Sequence, residues 1–553
     1  MSSDPSRTAA LGAATRLGVD VRRFPWVRPL AGDYAFNFSH IAPLYAGDPT
    51  SPDAWRSTAG RVQGQRRDRR ATADQIAGQQ SRRGAPPGAR HAAERLTDPR
   101  TVAVVTGQQA GVFGGPLFTL LKAISAIQLA RRAEATLGDP AIAVFWVDAE
   151  DHDWDEIASC TVLDAQLHPR TVTLPKSEGA GELPVAAVRL DERVGESLDA
   201  LEAALARTEF TESIMRSLRT AYRPGVGMAD AFACWLESLL GPHGLVVFDS
   251  SDPAVKPLLA NVFRRELESP GLTSSLATKA GDALAERGHS PQVVPQPDSL
   301  SLFHLDGARK PIRRHGDRFI VGDTQYTATG LANEAASSPQ HFSPNVLLRP
   351  IAQDTIFPTI CYVAGPSELA YLGQLREVYE HFGVPMPLIH PRATATLVDS
   401  ATARFLTKYP VPLEDLQPQD ESALNRLLAS QLPPTVEAAL TEAAEGIRRA
   451  MQQVIDVMPT VDPTLAGAAK TTQGKIEHEL RALHGKLIQA AKKRDETLRR
   501  QFVRAQAQTF PQGHPQERVL AGVSFLNLYG PALVDRLLEE LPMEIGQHWV
   551  LAI

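Results

Sequence analysis

The alternation of short apolar segments with helical patterns is the feature that most constrains the fold of this chain. Five apolar segments lie between turn signals, at Val102–Val105, Ala141–Val147, Leu245–Phe248, Thr359–Val363 and Pro387–Ile389. Such segments are typical of strands buried on both faces. Helical patterns separate several of them, including Leu117–Ala133 and Leu369–Phe382. This alternation predicts an α/β fold built on a doubly wound parallel sheet.

Two segments interrupt the pattern of the sheet. The run from Cys160 to Leu240 is predicted to be mostly helical. The segment from Gly271 to Pro344 contains a hairpin-like stretch, Lys310–Val321. Both are interpreted as insertions into the sheet.

Residues 435–508 carry a helical seam. Apolar side chains recur at steps of three, four or seven, at Val436, Leu440, Ile447, Met451, Val454 and Met458, then at Ile476, Leu480, Leu483 and Leu487, and again at Leu498 and Phe502 after a weaker stretch through Ala491 and Arg494. This spacing is typical of a coiled coil, and the break at Asp462-Pro463 predicts a helical hairpin. We assign the seam to packing or dimerisation and no chemistry to it.

Charge and cysteine content exclude several classes of protein. The 57 basic and 63 acidic residues give a formal net charge of −6, which provides no general attraction to nucleic acid or to an anionic membrane. An arginine-rich stretch between residues 61 and 83 is interpreted as a solvated helical face rather than an anion site. Cys160, Cys234 and Cys361 lie far apart, which argues against a disulfide framework and a thiolate zinc site. Cys361 lies in an apolar segment and is interpreted as inert.

No targeting or membrane segment stands out. The opening Met1–Pro5 is polar and no apolar stretch of the signal-peptide type follows it. The apolar stretch Leu117–Ala130 contains Lys122 and is too short to cross a bilayer. We therefore expect a cytoplasmic protein.

The first segment that could carry chemistry follows the predicted strand Val102–Val105. It begins Thr106-Gly107-Gln108-Gln109 and runs through a glycine-rich turn into the helix that contains Lys122. Glycines permit close backbone approach, and unpaired N–H groups at a helix start favour an anion such as phosphate or carboxylate. A structural turn alone would also explain the glycines. The glutamine pair favours a binding loop, although the chain lacks both the P-loop pattern and G-x-G-x-x-G.

The second segment, Phe145–Glu156, places six acidic residues and one histidine after a buried strand. Such a concentration of like charge needs a cation, an amine or hydrogen-bond donors nearby. His152, between Asp151 and Asp153, is a candidate general base or amine-binding residue. A helix cap at Asp153 would explain part of the run. One local histidine argues against a metal centre, so we assign no metal ligand.

The third segment joins two stretches, 345–354 and 358–371. Its candidate residues are Asn345, Arg349, Gln353, Gly365, Glu368 and Tyr371, and Arg392 follows the next predicted strand. The arginines can clamp a carboxylate or phosphate, and the other side chains can orient a polar substrate. Each residue alone would more often be structural. Ligands of parallel sheets bind beyond the carboxyl ends of the strands, so this clustering favours a site.

Together these segments resemble the cysteine ligase family of bacillithiol biosynthesis. The similarity rests on TGQQAGVFGGPLF and its continuation at 106–130, FWVDAEDHDWDEI at 145–157 and NVLLRPIAQD with GPSELAY at 345–375, and it extends to 244–253 and 515–537. It implies a Rossmann-like parallel-sheet core with two connective-peptide insertions and a C-terminal antiparallel coiled coil used for homodimerisation. The expected boundaries are 1–159, 241–270 and 345–432 for the core, 160–240 and 271–344 for the insertions, 433–510 for the coiled coil, and 511–553 for a segment returning to the core.

The resemblance also implies a reaction, in which cysteine is joined through an amide bond to the glucosamine amine of glucosaminyl malate. A carboxylate must be activated, so ATP with Mg²⁺ is the expected cosubstrate; the sequence leaves adenylation and phosphorylation both open. Thr106, Gly107, Gln108 and Gln109 would bind an anionic group, with Lys122 adding charge. Asp151, His152 and Asp153 would hold an ammonium group, with His152 accepting the proton of the attacking amine. Arg349 and Arg392 would bind the malate carboxylates, whereas Glu368 and Tyr371 would line the pocket.

Two other readings remain open at this stage. A nucleotidyl transferase acting on another small substrate would share the core, and the identity of the product separates it from the ligase. A non-catalytic coiled-coil dimer that binds a metabolite is the second alternative. The acidic segment around His152 argues against it, because a passive scaffold has little need of concentrated charge.

Overall fold

A computed structural model of the protein describes residues 16–409 and 411–553, with the backbone alone described at 463, 491, 492 and 494. The polar opening Met1–Pro5 and the start of the expected first core segment lie outside these residues. The chain forms two compact units. The α/β unit comprises Gly18–Thr396 and Gln516–Leu551, and the helical unit comprises Leu397–Pro515, Ala552–Ile553 and the described residues before Gly18.

The described residues contain fifteen strands. They are β1 (Arg16–Asp20), β2 (Val102–Gln109), β3 (Ala141–Asp148), β4 (Ser159–Leu163), β5 (Pro169–Thr173), β6 (Leu245–Asp249), β7 (Ser299–Asp306), β8 (Ala308–His315), β9 (Arg318–Val321), β10 (Thr324–Thr327), β11 (Phe342–Pro344), β12 (Thr359–Ala364), β13 (Leu388–Pro391), β14 (Thr394–Val398) and β15 (Gln547–Ala552).

The α-helices of the same residues cover much of the remaining chain. They are α1 (Pro29–Phe36), α2 (Phe38–Ile41), α3 (Pro52–Gln63), α4 (Arg69–Arg83), α5 (Pro87–Glu94), α6 (Leu117–Leu137), α7 (Trp154–Ile157), α8 (Arg193–Ala204), α9 (Thr211–Ala221), α10 (Met228–Leu240), α11 (Ala260–Glu268), α12 (Leu272–Glu286), α13 (Ala328–Ser337), α14 (Arg349–Ile356), α15 (Glu368–Leu372), α16 (Arg376–Phe382), α17 (Ser400–Lys408), α18 (Ser422–Ser430), α19 (Pro434–Val457), α20 (Ala466–Arg494), α21 (Glu496–Thr509), α22 (Gln516–Val519), α23 (Gly522–Tyr529) and α24 (Ala532–Glu540).

The predicted parallel sheet is confirmed and contains all five apolar segments. Its strand order is β13-β12-β2-β3-β6, and every neighbouring pair is parallel. The strands are buried along nearly their whole length, which explains their continuous apolar character. The chain proceeds from β2 through β3 to β6 on one side and later continues through β12 and β13 on the other. The strand order therefore reverses between β2 and β12, where open α/β sheets bind ligands.

Helix α6 connects β2 with β3 and packs on both strands. Most of its residues are buried, and it ends at Gly138, which adopts a left-handed conformation with φ 73°. The predicted helix at 369–382 is divided instead into α15 and α16. Gly373 lies between them, and a Cβ atom there would come within 2.9 Å of the Tyr45 hydroxyl. Close packing on Tyr45 thus accompanies the break.

The segment 160–240 differs from the prediction because it opens with a β-hairpin. Strands β4 and β5 pair antiparallel, and helices α8, α9 and α10 follow only later. In β4, Cys160 and Val162 are buried, whereas Ser159 is exposed and Thr161 is half-buried. This period-two pattern identifies a strand with one exposed face, and the sequence reading overlooked it.

The second insertion contains the predicted hairpin. Strands β8 and β9 pair antiparallel across the stretch Lys310–Val321, within a five-stranded sheet of order β10-β9-β8-β7-β11. The arginine-rich stretch is less solvated than predicted. The side chain of Arg83 is 3% exposed and pairs with Glu237 at 2.9 Å, and this neutralisation allows the guanidinium to be buried.

The helical unit contains the predicted hairpin of long helices. Helices α19 and α20 pack against each other, and His484 contacts Glu437 at 3.0 Å between them. Leu498 and Phe502 are buried, but they belong to the separate helix α21, whose start is capped by Asp495. The side chains of Ala491 and Arg494 in the weaker stretch lie outside the described residues.

Among residues 16–409 and 411–553, no helix has the length and the apolar character that a membrane span requires.

Candidate active site

A cleft of about 390 Å³ lies at the carboxyl ends of the parallel strands. Its walls come from the ends of β2, β3, β12 and β13 and from the starts of α14 and α15. The lining residues are Gly107, Gln108, Gln109, Phe118, Lys122, Asp148, Glu156, Val346, Arg349, Tyr362, Gly365, Pro366, Ser367, Glu368, Tyr371, Arg392 and Arg518. This cleft is where the reversal of strand order places a ligand site.

Lys122 is buried in the wall of the cleft. Its side chain is 4% exposed, and its Nζ donates to the Gly107 carbonyl at 2.8 Å and to Gln108 Oε1 at 3.1 Å. It also forms an ion pair with Glu368 at 2.5 Å. Burial lowers the pKa of the Lys122 ammonium, and the Glu368 carboxylate opposes that shift. Lys122 therefore fixes the carboxyl end of β2 to the start of α15.

Glu368 is the hub of the polar network. One carboxylate oxygen accepts from the Gly365 N–H at 2.5 Å, and the other accepts from the Tyr362 hydroxyl at 2.8 Å. Burial disfavours the charged form of Glu368, but Lys122, the Gly365 N–H and Arg349 outweigh it, so the pKa of this carboxyl lies below its usual value. Glu368 is consequently ionised at neutral pH.

Arg349 extends from the start of α14 into the cleft. Its guanidinium donates to the Tyr371 hydroxyl at 2.9 Å and to Gln353 Oε1 at 3.2 Å, and its Nε lies 3.9 Å from Asp148 Oδ2. Burial raises the pKa of Tyr371, so its hydroxyl stays protonated. Arg349 thus offers a fixed positive charge held by mostly neutral partners, which suits an anionic ligand.

Asp148 and Glu156 supply negative charge to the same cleft. Asp148 ends β3, and its side chain, 35% exposed, makes no hydrogen bond among the described residues. Glu156 lies in α7 and accepts from Gln109 Nε2 at 3.0 Å. Carboxylates facing a cleft beside an arginine can bind an ammonium group or ligate Mg²⁺ through oxygen.

The remaining arginines differ in how they are engaged. Arg392 is buried and forms two hydrogen bonds with Glu517, at 2.9 and 2.6 Å, so its charge is already paired. Arg518 in α22 lines the cleft and forms no hydrogen bond or ion pair within the described part of the chain. Arg518 is therefore better placed than Arg392 to take up an anion.

The structure brings nine of the predicted site residues together in the cleft wall. They are Gly107, Gln108, Gln109, Lys122, Arg349, Gly365, Glu368, Tyr371 and Arg392. Three other predicted residues support this wall from behind. Thr106 is buried and donates to the Val363 carbonyl, Asn345 accepts from the N–H groups of Leu347 and Leu348, and Gln353 contacts Arg349.

Asp151, His152 and Asp153 do not line the cleft. They lie on the loop between β3 and α7, where Asp153 caps α7 and the side chain of His152 is 56% exposed. Asp148 precedes this loop and Glu156 follows it, and both of them do line the cleft. The acidic segment thus contributes to the site through its two ends rather than its middle.

The same loop is fastened to the second insertion. Glu150 pairs with the buried Lys256 and accepts from the Ser343 hydroxyl at 3.3 Å, and Arg309 donates to Asp151 at 3.3 Å. Burial disfavours the charged form of Lys256 and lowers its pKa. Glu150 and Asp151 thus have a structural role as partners in internal ion pairs, and this role explains part of the acidic segment without a catalytic function.

Sequence reasoning missed several lining residues, above all Asp148, Tyr362, Glu156 and Arg518. Asp148 and Glu156 belong to the acidic segment Phe145–Glu156. Asp148 could have been predicted as a lining residue, because it lies at the carboxyl end of a parallel strand. Tyr362 looked like part of an apolar strand. Cys361, interpreted as inert, is buried, and burial raises the pKa of its thiol.

Comparison with known proteins identifies both parts of the chain. Residues 19–393 match the family model described as "Bacillithiol biosynthesis BshC, N-terminal Rossmann-like domain". Residues 395–553 match "Bacillithiol biosynthesis BshC, C-terminal coiled-coil domain". The two models together cover nearly the whole chain described here.

Three similar proteins carry the name "Putative cysteine ligase BshC". The protein of Salinibacter ruber is 35% identical over 525 residues, covering 94% of this chain and 95% of its own. That of Symbiobacterium thermophilum is 32% identical, covering 93% and 95%. That of Chlorobaculum tepidum is 34% identical, covering 81% and 82%. On these matches, the chain belongs to the BshC family of bacillithiol biosynthesis.

Proposed function

We propose that this chain is a ligase that joins cysteine to the glucosamine amine of glucosaminyl malate, with ATP as cosubstrate. The observation that carries the proposal is the charge arrangement of the cleft. Arg349 and Arg518 provide positive charge, while Asp148 and Glu156 provide negative charge within the same cleft. A substrate that carries both carboxylates and an amine requires both signs of charge close together.

Arg349 and Arg518 are the proposed ligands of the malate carboxylates. Arg349 is held by Tyr371 and Gln353, so little side-chain freedom is lost on binding. Arg392 also lines the cleft, and its guanidinium forms an ion pair with Glu517. Residues Thr106–Gln109, which the structure places in the carboxyl end of β2 rather than in a loop, contribute the Gln108 and Gln109 side chains and the close backbone approach at Gly107.

Asp148 is the proposed partner of the attacking amine. An amine must lose its proton before it can attack, and a carboxylate without a hydrogen bond of its own can hold the ammonium form. His152 lies outside the cleft, on the exposed loop that joins Asp148 to Glu156, and is the proposed final acceptor that releases the proton to solvent. Asp151 and Asp153 then serve to hold that loop, through Arg309 and through the cap of α7.

ATP would convert a carboxylate into an acylating group by transferring either an adenylyl or a phosphoryl group to it. The residues present fit such a cosubstrate, because Gln108, Gln109 and the backbone at Gly107 can approach phosphate oxygens, and Glu156 offers an oxygen ligand of the kind that Mg²⁺ prefers. The amine then displaces the activated oxygen, which leaves with the transferred group as the amide forms. We place this reaction in the cytoplasm, in keeping with the free cysteines of the described chain.

The test is mass spectrometry of a reaction that contains the full-length protein, glucosaminyl malate, cysteine, ATP and Mg²⁺. We expect cysteinyl-glucosaminyl malate together with an equal amount of AMP or ADP, and the nucleotide product identifies the mode of activation. Replacement of cysteine by serine is the control for the thiol substrate. Absence of a conjugate from folded protein would overturn the proposal, and a nucleotidylated sugar without cysteine would assign the cleft to a nucleotidyl transferase.

We further propose that the coiled coil of α19 and α20 forms a homodimer. None of the residues in α19 is buried, and the seam residues Val454, Ile476 and Leu483 are 41%, 37% and 49% exposed. A seam this apolar is stabilised when a second copy covers it. Light scattering should give twice the chain mass for the wild type and for Lys486→Glu, and a smaller mass for Leu483→Glu. A wild-type protein of single-chain mass would contradict the dimer.

A further inference from the structure

Three potential metal ligands converge in the second insertion, outside the cleft. They are His304 on β7, Glu334 on α13 and His341, which ends a short 3₁₀ helix, Pro339–His341. Their ligand atoms all lie within 4.8 Å of one another. None of the three residues lines the candidate active site. This cluster therefore takes no direct part in the reaction proposed for the cleft.

The backbone brings these side chains together. In the pairing of β11 with β7, Phe342 lies opposite His304, so the preceding residue His341 is directed to the same end of the strand pair. Helix α13 runs immediately before this point and contributes Glu334. The sheet register thus fixes His304 opposite the first residue of β11, and chain connectivity places His341 directly before that residue, so the backbone itself brings the two imidazoles together.

Both imidazoles contact the same carboxylate oxygen. His304 Nε2 lies 3.0 Å from Glu334 Oε1, and His341 Nδ1 lies 2.8 Å from it. The His304 side chain is 5% exposed, and its other ring nitrogen, Nδ1, has no hydrogen-bond partner among the described residues. Within the part of the chain that the structure describes, the contact with Glu334 is thus the one hydrogen bond of this buried ring.

We propose that His304, Glu334 and His341 form a binding site for a divalent transition-metal ion such as Zn²⁺. Two imidazoles and one carboxylate are a donor set that such ions prefer, whereas Mg²⁺ and Ca²⁺ prefer oxygen ligands alone. The two nitrogens lie 3.0 and 2.8 Å from the Glu334 oxygen, a few tenths of an ångström short of the roughly 3.4 Å that separates two ligands of one tetrahedral ion. The exposure of Glu334 and His341 leaves a path for the ion and a position for water.

A bound ion would fasten α13 to the strand pair β7–β11. Ser343 and Pro344, which follow Phe342 in β11, are linked to the loop between β3 and α7. Ser343 donates to Glu150, and the Pro344 carbonyl accepts from Arg309, which also donates to Asp151. The role that follows is structural, since the metal would hold the insertion that in turn holds this loop. Metal content and thermal stability are therefore the quantities to measure, rather than turnover.

A second group of potential ligands, Asp33, His40 and His289, provides an internal comparison. There His40 is exposed and its Nε2 lies 3.3 Å from the Arg287 carbonyl, so this nitrogen already has a partner. We therefore place the ion at His304, Glu334 and His341. A His40→Ala variant serves as a control for the second group.

The experiment titrates the full-length protein, freed of metal with a chelator, with Zn²⁺ and Co²⁺. Wild type should bind one equivalent and show a higher melting temperature with Zn²⁺. His341→Ala and Glu334→Gln should bind about tenfold more weakly or worse. His315→Ala, which removes an exposed histidine of β8, and His40→Ala should bind like wild type.

Two outcomes would overturn the site. One is a wild-type protein that takes up no Zn²⁺ at micromolar concentration. The other is binding of one equivalent of Zn²⁺ that persists in His341→Ala and Glu334→Gln, or that is lost in His40→Ala. His341 is half-exposed, so its replacement leaves the packing intact, and circular dichroism of each variant verifies the fold.

Discussion

The substitution Glu368→Gln removes the charge at the centre of the cleft's polar network while it keeps the shape of the side chain. Lys122 then loses the carboxylate that lies 2.5 Å from its Nζ, and it retains only the Gly107 carbonyl and Gln108 Oε1. Both side chains of the pair are largely buried, at 4% and 18% exposure. The variant therefore leaves a buried ammonium without a counter-ion.

The size of the effect follows from this geometry. At 2.5 Å and an effective dielectric constant of about 20, the attraction is about 7 kcal/mol. Much of it is offset by the desolvation of the two ions, and truncation of one partner of a buried pair costs about 3–5 kcal/mol. We expect Glu368→Gln to lower the unfolding free energy of the α/β unit by about 3 kcal/mol. The double variant Lys122→Met/Glu368→Gln should recover most of that loss, because no unpaired charge remains.

Tryptophan fluorescence during urea denaturation measures this quantity, since all six tryptophans belong to the α/β unit. The difference in unfolding free energy between Glu368→Gln and wild type should shrink from pH 7 to pH 9. Burial lowers the pKa of folded Lys122, and Glu368→Gln removes the carboxylate that opposes this shift. The unfolded variant therefore binds more protons than the folded variant, and its stability rises with pH more steeply than that of wild type. Glu377→Gln, which breaks a solvent-exposed pair with Lys279, is the matched control and should change stability by under about 1 kcal/mol. A Glu368→Gln variant as stable as this control would refute the reasoning.

Three further predictions test other parts of the structure. Burial lowers the pKa of His390 to about 4, below its ordinary 6.5, so the unfolded state binds more protons between these two pH values. Acidification through that range should therefore lower the unfolding free energy of wild type by up to about 3 kcal/mol, and that of His390→Gln by less. Urea denaturation at several pH values measures both. Gly114 and Gly138 both have positive φ, but a Cβ at Gly114 would lie 2.6 Å from Trp235 Nε1, whereas a Cβ at Gly138 would meet no atom within 4 Å. Gly114→Ala should therefore melt at a clearly lower temperature than Gly138→Ala. Equal melting temperatures would contradict this packing. Tyr371→Phe removes the hydroxyl that holds Arg349 at 2.9 Å and should raise the KM for glucosaminyl malate about fivefold with little loss of kcat; an unchanged KM would separate Arg349 from substrate binding.

The parallel sheet was predictable because its strands are apolar on both faces. Continuous runs such as Val102–Val105 have few alternatives to a buried strand, and all five occur in one sheet. The hairpin of β4 and β5 was not predicted, because its alternation is short and the outward residues of β4 are a serine and a threonine rather than charged residues. The break between α15 and α16 depends on contact with Tyr45, which is more than 300 residues away along the chain.

Candidate site residues were predictable where strand ends coincided with glycine or charge, as at Gly107, Arg349 and Glu368. Their pairing was not, since nothing local indicates that Lys122 meets Glu368 or that Glu517 neutralises Arg392. For the same reason the acidic segment drew attention to His152, although Asp148 is the residue that lines the cleft. Charge density identifies a segment, whereas tertiary contacts decide which of its members face the ligand.

The decisive measurement compares conjugate formation by wild type, Arg349→Lys and Arg56→Lys under identical conditions with glucosaminyl malate, cysteine and ATP. Lysine keeps the positive charge of Arg349 but loses its forked hydrogen bonds, and Arg56 is an exposed arginine of α3 that serves as control. We predict rapid formation of cysteinyl-glucosaminyl malate by wild type and Arg56→Lys, and a loss of at least about tenfold in kcat/KM for folded Arg349→Lys. Equal rates for all three proteins would contradict the assignment of the reaction to this cleft.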